Sequence, residues 1–188
     1  MTRLLATLSL AALLAACSAS TDDAETATEA ATTDVAESVV ACPDNLVFAL
    51  EDYAEEELPT TDDFDAWHIE NAARDGVIET ESGLQYKVNQ TGLEDGLSPR
   101  PGEEIFAHYH GYFPNGDVFD SSYRRETPLI GPSNAFIRGW NESLADMKVC
   151  EARTLYIPAD LAYGNSGAGG RPTGTLVFKM QLLRVNRG

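Results

Sequence analysis

Aromatic side chains stand at the ends of several predicted segments: Tyr109, Phe119, Trp140, Tyr163 and Phe178, with a carboxylate, Asp120, directly after Phe119. Such a set makes an apolar slot with few polar tips, which suits a reaction that needs no nucleophile. Rotation about an Xaa-Pro amide is one. Its barrier is about 18–20 kcal/mol because rotation destroys amide resonance, and uncatalysed exchange takes on the order of tens to hundreds of seconds. A pocket that binds the twisted form and offers its carbonyl one or two donors lowers that barrier by differential binding, with no cofactor. Other chemistries find little support. His108 and His110 lack a third ligand at metal-like spacing, so no metal site is expected and a polar strand face accounts for the pair. No Gly-x-Ser-x-Gly elbow occurs. The glycine-rich loop Gly164–Gly174 lacks the Gly-Lys-Ser/Thr ending of a phosphate cradle and leads into a strand, so a flap beside a pocket fits it better.

The elements that must position these residues are legible as periodicities. In Ala135–Met147, Trp140, Leu144 and Met147 fall at i, i+4 and i+7, one apolar stripe of a short helix, with Arg138, Asn141, Glu142 and Asp146 off it. Taken alone, Trp140 reads as a core anchor; set among the other aromatics it becomes the floor of a pocket. Leu84, Tyr86 and Val88 alternate with polar residues as a half-buried strand. Ile105–Tyr112 is a second strand, with His108 and His110 on one face and Tyr109 on the other. Val118-Phe119, Arg153–Ile157 and Leu176–Val185 are further strands. Several short strands with one helix between them predict an α+β fold, an antiparallel sheet half-wrapped around that helix. Upstream, Leu46, Leu50 and Tyr53 have helical spacing. Pro59–Asp62 reads as a break and N-cap before a second helix, Phe64 to Asp75, which Gly76 would stop.

The chain has 188 residues and a net charge of -17, unevenly placed. Ser18 to Ala73 holds 16 acids and no Lys or Arg, whereas Arg74 onward holds 14 acids against 12 bases. Nucleic-acid binding, which needs a basic footprint, is excluded as an expectation. Residues 18–41, rich in Ala, Thr, Glu and Asp, read as a disordered linker. Before them, Arg3, an apolar run from Leu4 to Leu14 and the ending Leu14-Ala15-Ala16-Cys17 resemble a bacterial lipoprotein signal. That resemblance implies lipidation of Cys17, a membrane anchor and a place in the bacterial cell envelope, at the outer membrane facing the periplasm. Export to a disulfide-permissive compartment makes Cys42 and Cys150 a candidate bridge, the alternative being two buried thiols.

His108-Tyr109-His110-Gly111, Asn115-Gly116-Asp117-Val118-Phe119-Asp120-Ser121-Ser122, Phe136-Ile137-Arg138-Gly139-Trp140, Ile157-Pro158-Ala159-Asp160-Leu161-Ala162-Tyr163-Gly164 and Thr175-Leu176-Val177-Phe178 together resemble the FKBP-type peptidyl-prolyl cis-trans isomerases, in the family's order. Glu70 to Val88 resembles the lead-in of envelope members with an N-terminal helical arm. The resemblance implies a proline ring over Trp140, with Tyr109, Phe119, Ile137 and Phe178 as walls and Phe136 at the mouth. It gives the Tyr163 hydroxyl and the Ile137 N–H to a substrate carbonyl, and to Asp120 a positioning and polarising role. Leu129 stands where many members have Phe, Gly170-Arg171-Pro172-Thr173 replaces an Ile-Pro-Pro flap, and Cys150 occupies a position that is usually Gly. The implied plan is a signal peptide (1–16), a lipidated N-terminus and linker (17–41), a helical arm (42–81) and an isomerase domain (82–188). The implied partners are Pro-containing polypeptides, with weak homodimerisation through the arm. The alternative is a non-catalytic or weakly catalytic chaperone that grips Pro-containing segments.

Overall fold

The computed structural model describes residues 38–55 and 63–187, all within one compact unit spanning residues 36–188. Cys17, the leader, the first part of the linker and the Pro59–Asp62 break lie outside the described residues. No described helix is long and apolar enough to cross a membrane.

Two long strands carry the architecture, β4 (Glu104–Tyr112) and β8 (Leu176–Arg187), paired antiparallel from Glu104↔Asn186 to Tyr112↔Val177 with a bulge at Phe106/Ala107. Shorter strands share their free edges. Beyond β4 lie β5 (Val118–Ser121) at one end and β6 (Leu129–Pro132) at the other. Beyond β8 lie β7 (Ala152–Ile157) and β1 (Ser38–Ala41). The sheet continues from β7 to β3 (Gln85–Gln90) and β2 (Val77–Glu79), and every pairing is antiparallel. Helix α2 (Arg138–Asp146) lies on one face, burying Trp140 and Leu144 with the following Met147 against Leu155, Ile157, Phe178 and Met180. Close approach is possible because residue 139 is Gly: a Cβ there would lie 2.7 Å from Ile157. This is the expected α+β plan, a sheet wrapped around one short helix.

The other face is also covered, which is why β7 is buried at every residue rather than at alternate ones. Helix α1 (Phe64–Asn71) packs Trp67 against Tyr156, with Tyr112 and Val177 beside them. Residues 42–53 cover the rest. Here the structure corrects the expected helix over Leu46–Tyr53, which is two 3₁₀ turns, Asp44–Leu46 and Leu50–Asp52. Sheet side chains hold the backbone between them: Gln90 Nε2 and Gln181 Nε2 both donate to Leu46 O, Phe48 N–H donates to Gln181 Oε1, and Tyr123 OH donates to Phe48 O. With those groups already paired, an α-helical ladder cannot form.

Three further expectations shift. Composition extends the linker through residue 41, yet Ser38–Ala41 is a strand of the sheet. The stretch 42–81 is not a separate helical arm: it contributes β2, α1 and the two 3₁₀ turns to the same unit. Its helix is capped by Asp63, one residue later than expected, and ends at Asn71 instead of Asp75, because the Asn71 side chain turns inward to donate to Gln85 Oε1 and accept from Arg74. In β3 the buried residue is Gln85, while Val88 is exposed next to a bulge at Val88/Gln90.

Cys42 and Cys150 form a disulfide with Cα atoms 5.0 Å apart, tying the start of the covering segment to the turn before β7. Cys150 has φ of 73°, a left-handed conformation that costs little only for Gly, so the backbone here explains the glycine seen at this position in the resembling family.

Candidate active site

The nine residues assigned to a pocket from sequence line one cavity of about 980 Å³ between α2, β4, β5, β8 and the 159–173 loop. Burial grades from floor to mouth. Trp140, Phe178 and Tyr109 are buried, Phe119, Ile137, Phe136 and Leu129 are half-buried, and Tyr163 is 40% exposed. The floor is a set of edge-to-face rings: Trp140 lies 5.1 Å from both Tyr109 and Phe178, at interplanar angles of 74° and 81°. Phe119 meets Phe178 at 5.5 Å and 83°, and Phe136 closes on Trp140 at 5.4 Å. Such pairs add about 0.5–1.5 kcal/mol each beyond area burial and fix ring positions. Gly111 makes room for them: a Cβ on this β4 residue would lie 2.7 Å from both Phe119 and Phe178.

The polar groups are placed as deliberately as the rings. Asn141, on the first turn of α2, accepts from Phe136 N–H and donates to Phe136 O and Asn134 O, which fixes the chain entering the helix. Ile137 is the N-cap in extended conformation, and its N–H enters none of the hydrogen bonds among the described residues, so it remains a donor at the positive end of the helix. Ser122 brackets the Tyr109 backbone, its Oγ accepting from Tyr109 N–H at 2.7 Å and donating to Tyr109 O at 3.1 Å.

Asp120 is half-exposed at the rim, bonded to the Tyr109 hydroxyl and paired with Arg125, which also donates to Tyr109 Oη at 2.7 Å. Burial works against its charge, but the hydrogen bonds from Tyr109 and Arg125 and the adjacent guanidinium outweigh it and hold the carboxyl below its ordinary value. Burial, followed by the bond to Asp120, pushes the Tyr109 phenol up. Asp120 is therefore an ionised, paired group at neutral pH, and its geometry serves to lock Tyr109 and not to exchange protons.

Arg125 was missed from sequence. It lies five residues after Asp120 across a turn, and its pairing depends on how Ser122–Thr127 folds back on itself. Phe113, Ala135 and Ala162 also line the cavity, although sequence assigns them no role in a pocket. Arg138, expected to face water, lines the mouth, as do Gly170, Arg171, Pro172 and Thr173, which sequence marks only as a flap departure. His108 and His110 point to the opposite face, with Nδ1 atoms 2.9 Å and 3.1 Å from Ser122 Oγ and Ser121 Oγ.

Comparison with known proteins agrees with this geometry. Residues 96–183 match the model of the FKBP-type peptidyl-prolyl cis-trans isomerase family, and residues 2–88 that of the domain amino terminal to FKBP-type peptidyl-prolyl isomerase. The chain is 42% identical over 119 residues to the peptidyl-prolyl cis-trans isomerase Mip of Coxiella burnetii, covering 62% of this chain and 51% of that protein. The crystal structure of FkpA from Escherichia coli is similar with a TM-score of 0.61 at 35% identity, covering 65% of this chain and 57% of that one. A peptidyl-prolyl cis-trans isomerase structure from Pseudomonas syringae is similar with a TM-score of 0.59 at 30% identity, covering 65% and 90% of the two chains. The matched stretch spans about half the length of the curated relatives. Two family models in their expected order, and a solved relative matched over nearly its whole length, place this chain in the FKBP-type peptidyl-prolyl cis-trans isomerase family.

Proposed function

We propose that this chain is a peptidyl-prolyl cis-trans isomerase acting on Xaa-Pro bonds of exported polypeptides, held at the cell envelope by a lipid on Cys17. The observation that carries the catalytic reading is the cavity floor: Trp140 boxed by Tyr109, Phe136 and Phe178, below a free helix-terminal N–H and an exposed phenol. The proline ring rests on the indole. Tyr109, Phe119, Ile137 and Phe178 take the carbonyl of the preceding residue out of water, and Leu129 and Phe136 flank the entrance. In the planar amide, resonance places charge on that carbonyl oxygen and double-bond character in C–N. As the bond twists, nitrogen becomes pyramidal and its lone pair is no longer shared. A dry apolar wall disfavours the charge-separated planar form, while donors from Ile137 N–H and Tyr163 OH hold the carbonyl in its rotated direction, so binding is stronger for the twisted state. Asp120 and Arg125 keep Tyr109 in place. No step requires a nucleophile or a proton transfer.

The acidic linker and Leu14-Ala15-Ala16-Cys17 support the anchoring part of the reading. Two or three acyl chains on Cys17 give stable attachment at about 0.8 kcal/mol per buried methylene. Mass spectrometry of the N-terminal peptide tests it: a diacylglyceryl-modified Cys17 is expected, and an unmodified N-terminus elsewhere overturns it. The catalytic reading is tested by NMR exchange on an Ala-Leu-Pro-Phe peptide. Wild type accelerates exchange and Trp140→Ala abolishes the gain. Peptide-induced shifts at the Trp140 indole without acceleration overturn catalysis in favour of a binding module.

A further inference from the structure

The mouth of the cavity carries a charge pattern opposite to that of the chain. Overall the protein is at -17, yet the lining holds one acid, Asp120, already neutralised by Arg125, and two further arginines, Arg138 and Arg171. Both are exposed, and neither forms an ion pair among the described residues. Each is nevertheless positioned. Arg138, the first residue of α2, donates to Asp160 O at 3.4 Å, which holds its guanidinium towards the loop that carries Tyr163. Arg171 places its guanidinium carbon 5.5 Å from the centre of the Tyr163 ring, a cation–π arrangement. The two guanidinia thus flank the two carbonyl donors, one adjoining Ile137 and the other lying against Tyr163. The N-terminus of the nine-residue α2 adds a partial positive charge at the same place.

We infer that Arg138 and Arg171 are specificity-determining residues that favour Xaa-Pro bonds in which Xaa is Glu or Asp over those in which it is the neutral amide or lysine. This inference rests on the isomerase reading above. The carbonyl received by Ile137 N–H and Tyr163 OH belongs to the residue before proline, so that residue's side chain leaves the backbone at the mouth, within a few methylenes of both guanidinia. A carboxylate there meets two unpaired cations, and a lysine meets repulsion. A guanidinium carries a planar N–H fork that takes a carboxylate with two hydrogen bonds. Leu129 at the rim adds only a small apolar contact, so charge at the mouth has more influence on choice than it would beside a second large ring.

The test uses the full-length chain and the peptides Ala-Xaa-Pro-Phe with Xaa as Glu, Gln or Lys. Exchange rates give kcat/KM, and shifts at the Trp140 indole give Kd. Exposed ion pairs contribute about 0.2–1 kcal/mol each, so the Glu-to-Gln ratio expected at ~20 mM salt is about two to ten. It should fall towards one at ~500 mM salt and in the double variant Arg138→Gln/Arg171→Gln, with Lys the poorest in wild type. A Glu-to-Gln ratio of one in wild type, or a ratio unchanged in the double variant, overturns the inference even when all three peptides are accelerated. Failure of the isomerase reading looks different: no peptide is accelerated, while the Kd values alone decide the preference at the mouth.

Discussion

On one side of the β4–β8 pair, Tyr109 and Phe178 meet Trp140 edge to face around a cavity that stays open at Tyr163. On the other, Gln181, Tyr123 and His108 from the same sheet region are covered by residues 42–53, with a disulfide at one end and buried Tyr53 at the other. The open face is held by ring packing and leaves donors unsatisfied. The covered face is held by hydrogen bonds and uses nearly every donor it has: Gln181 alone bonds Leu46 O, Cys150 O and Phe48 N–H. A binding pocket has to keep polar capacity in reserve, and a seal has to spend it. The difference teaches that residues 42–53 contribute stability without lining the cavity, so perturbations of that segment should spare activity while those of the open face should not.

The largest separation should come from the disulfide. It closes a loop of 108 residues, and in the chain-entropy account a loop of this length is worth about 4–5 kcal/mol. Cys42→Ser, or reduction of wild type, should lower the denaturation midpoint by that order while kcat/KM stays unchanged in conditions where the protein remains folded. Parallel loss of both would join the two faces. Gln181→Leu is the next step down. It strands Phe48 N–H and removes one of two donors from Leu46 O and Cys150 O, which retain Gln90, so about 2–3 kcal/mol of stability is expected to be lost, again with activity intact. Gly111→Ala is its counterpart on the open face. The added methyl meets two rings at 2.7 Å, costs about 1–3 kcal/mol and, unlike the other two, should cut kcat/KM at least tenfold by displacing Phe119 and Phe178.

A finer test uses the backbone at Cys150. In a Cys42→Ser background, Cys150→Gly should be more stable than Cys150→Ala by about 1–2 kcal/mol, because only glycine relaxes at a φ of 73°. The smallest effect is one of pH. Burial lowers the His108 and His110 imidazoles below their ordinary 6.5, with Arg124 and Lys179 adding to it at His110. Both are then neutral in the folded protein, and the unfolded chain takes up protons first on acidification. The stability this confers is complete above pH 6.5 and is lost as pH falls through the folded values. Urea midpoints at about pH 7.5 and about pH 5 should show the drop, reduced in a His108→Gln/His110→Gln variant.

The open face was more legible in the sequence than the covered one, for a physical reason. Trp140, Leu144 and Met147 advertise α2 by local spacing, and strands β4 and β8 by length and alternation, so Tyr109, Phe119, Asp120, Trp140, Tyr163 and Phe178 stand out at segment ends, while Phe136, Ile137 and Leu129 follow only from the family resemblance. The covered face is built from contacts between residues 133 and 135 positions apart, such as Phe48 and Leu46 with Gln181, and these leave no periodic trace. The apolar spacing of Leu46, Leu50 and Tyr53 looked helical only while those partners were unknown. Strand β6 was missed because Gly131-Pro132 reads as a break. It is a strand through pairing with β4 over Glu104–Ala107, where Pro132 stands at the strand end and gives up no ladder donor. Arg125 was missed because its role comes from the fold of a turn and not from a motif.

The central claim is that catalysis belongs to the open face alone, and the exchange rate of Ala-Leu-Pro-Phe tests it most directly, measured side by side for wild type, Tyr163→Phe and Gln181→Leu. Tyr163→Phe removes one exposed hydroxyl and nothing from the core, and should lower kcat/KM about three- to tenfold, the worth of one donor in the rotated state. Gln181→Leu should match wild type at temperatures where both are folded. Equal rates for Tyr163→Phe and wild type, or a loss in Gln181→Leu without unfolding, would contradict the account.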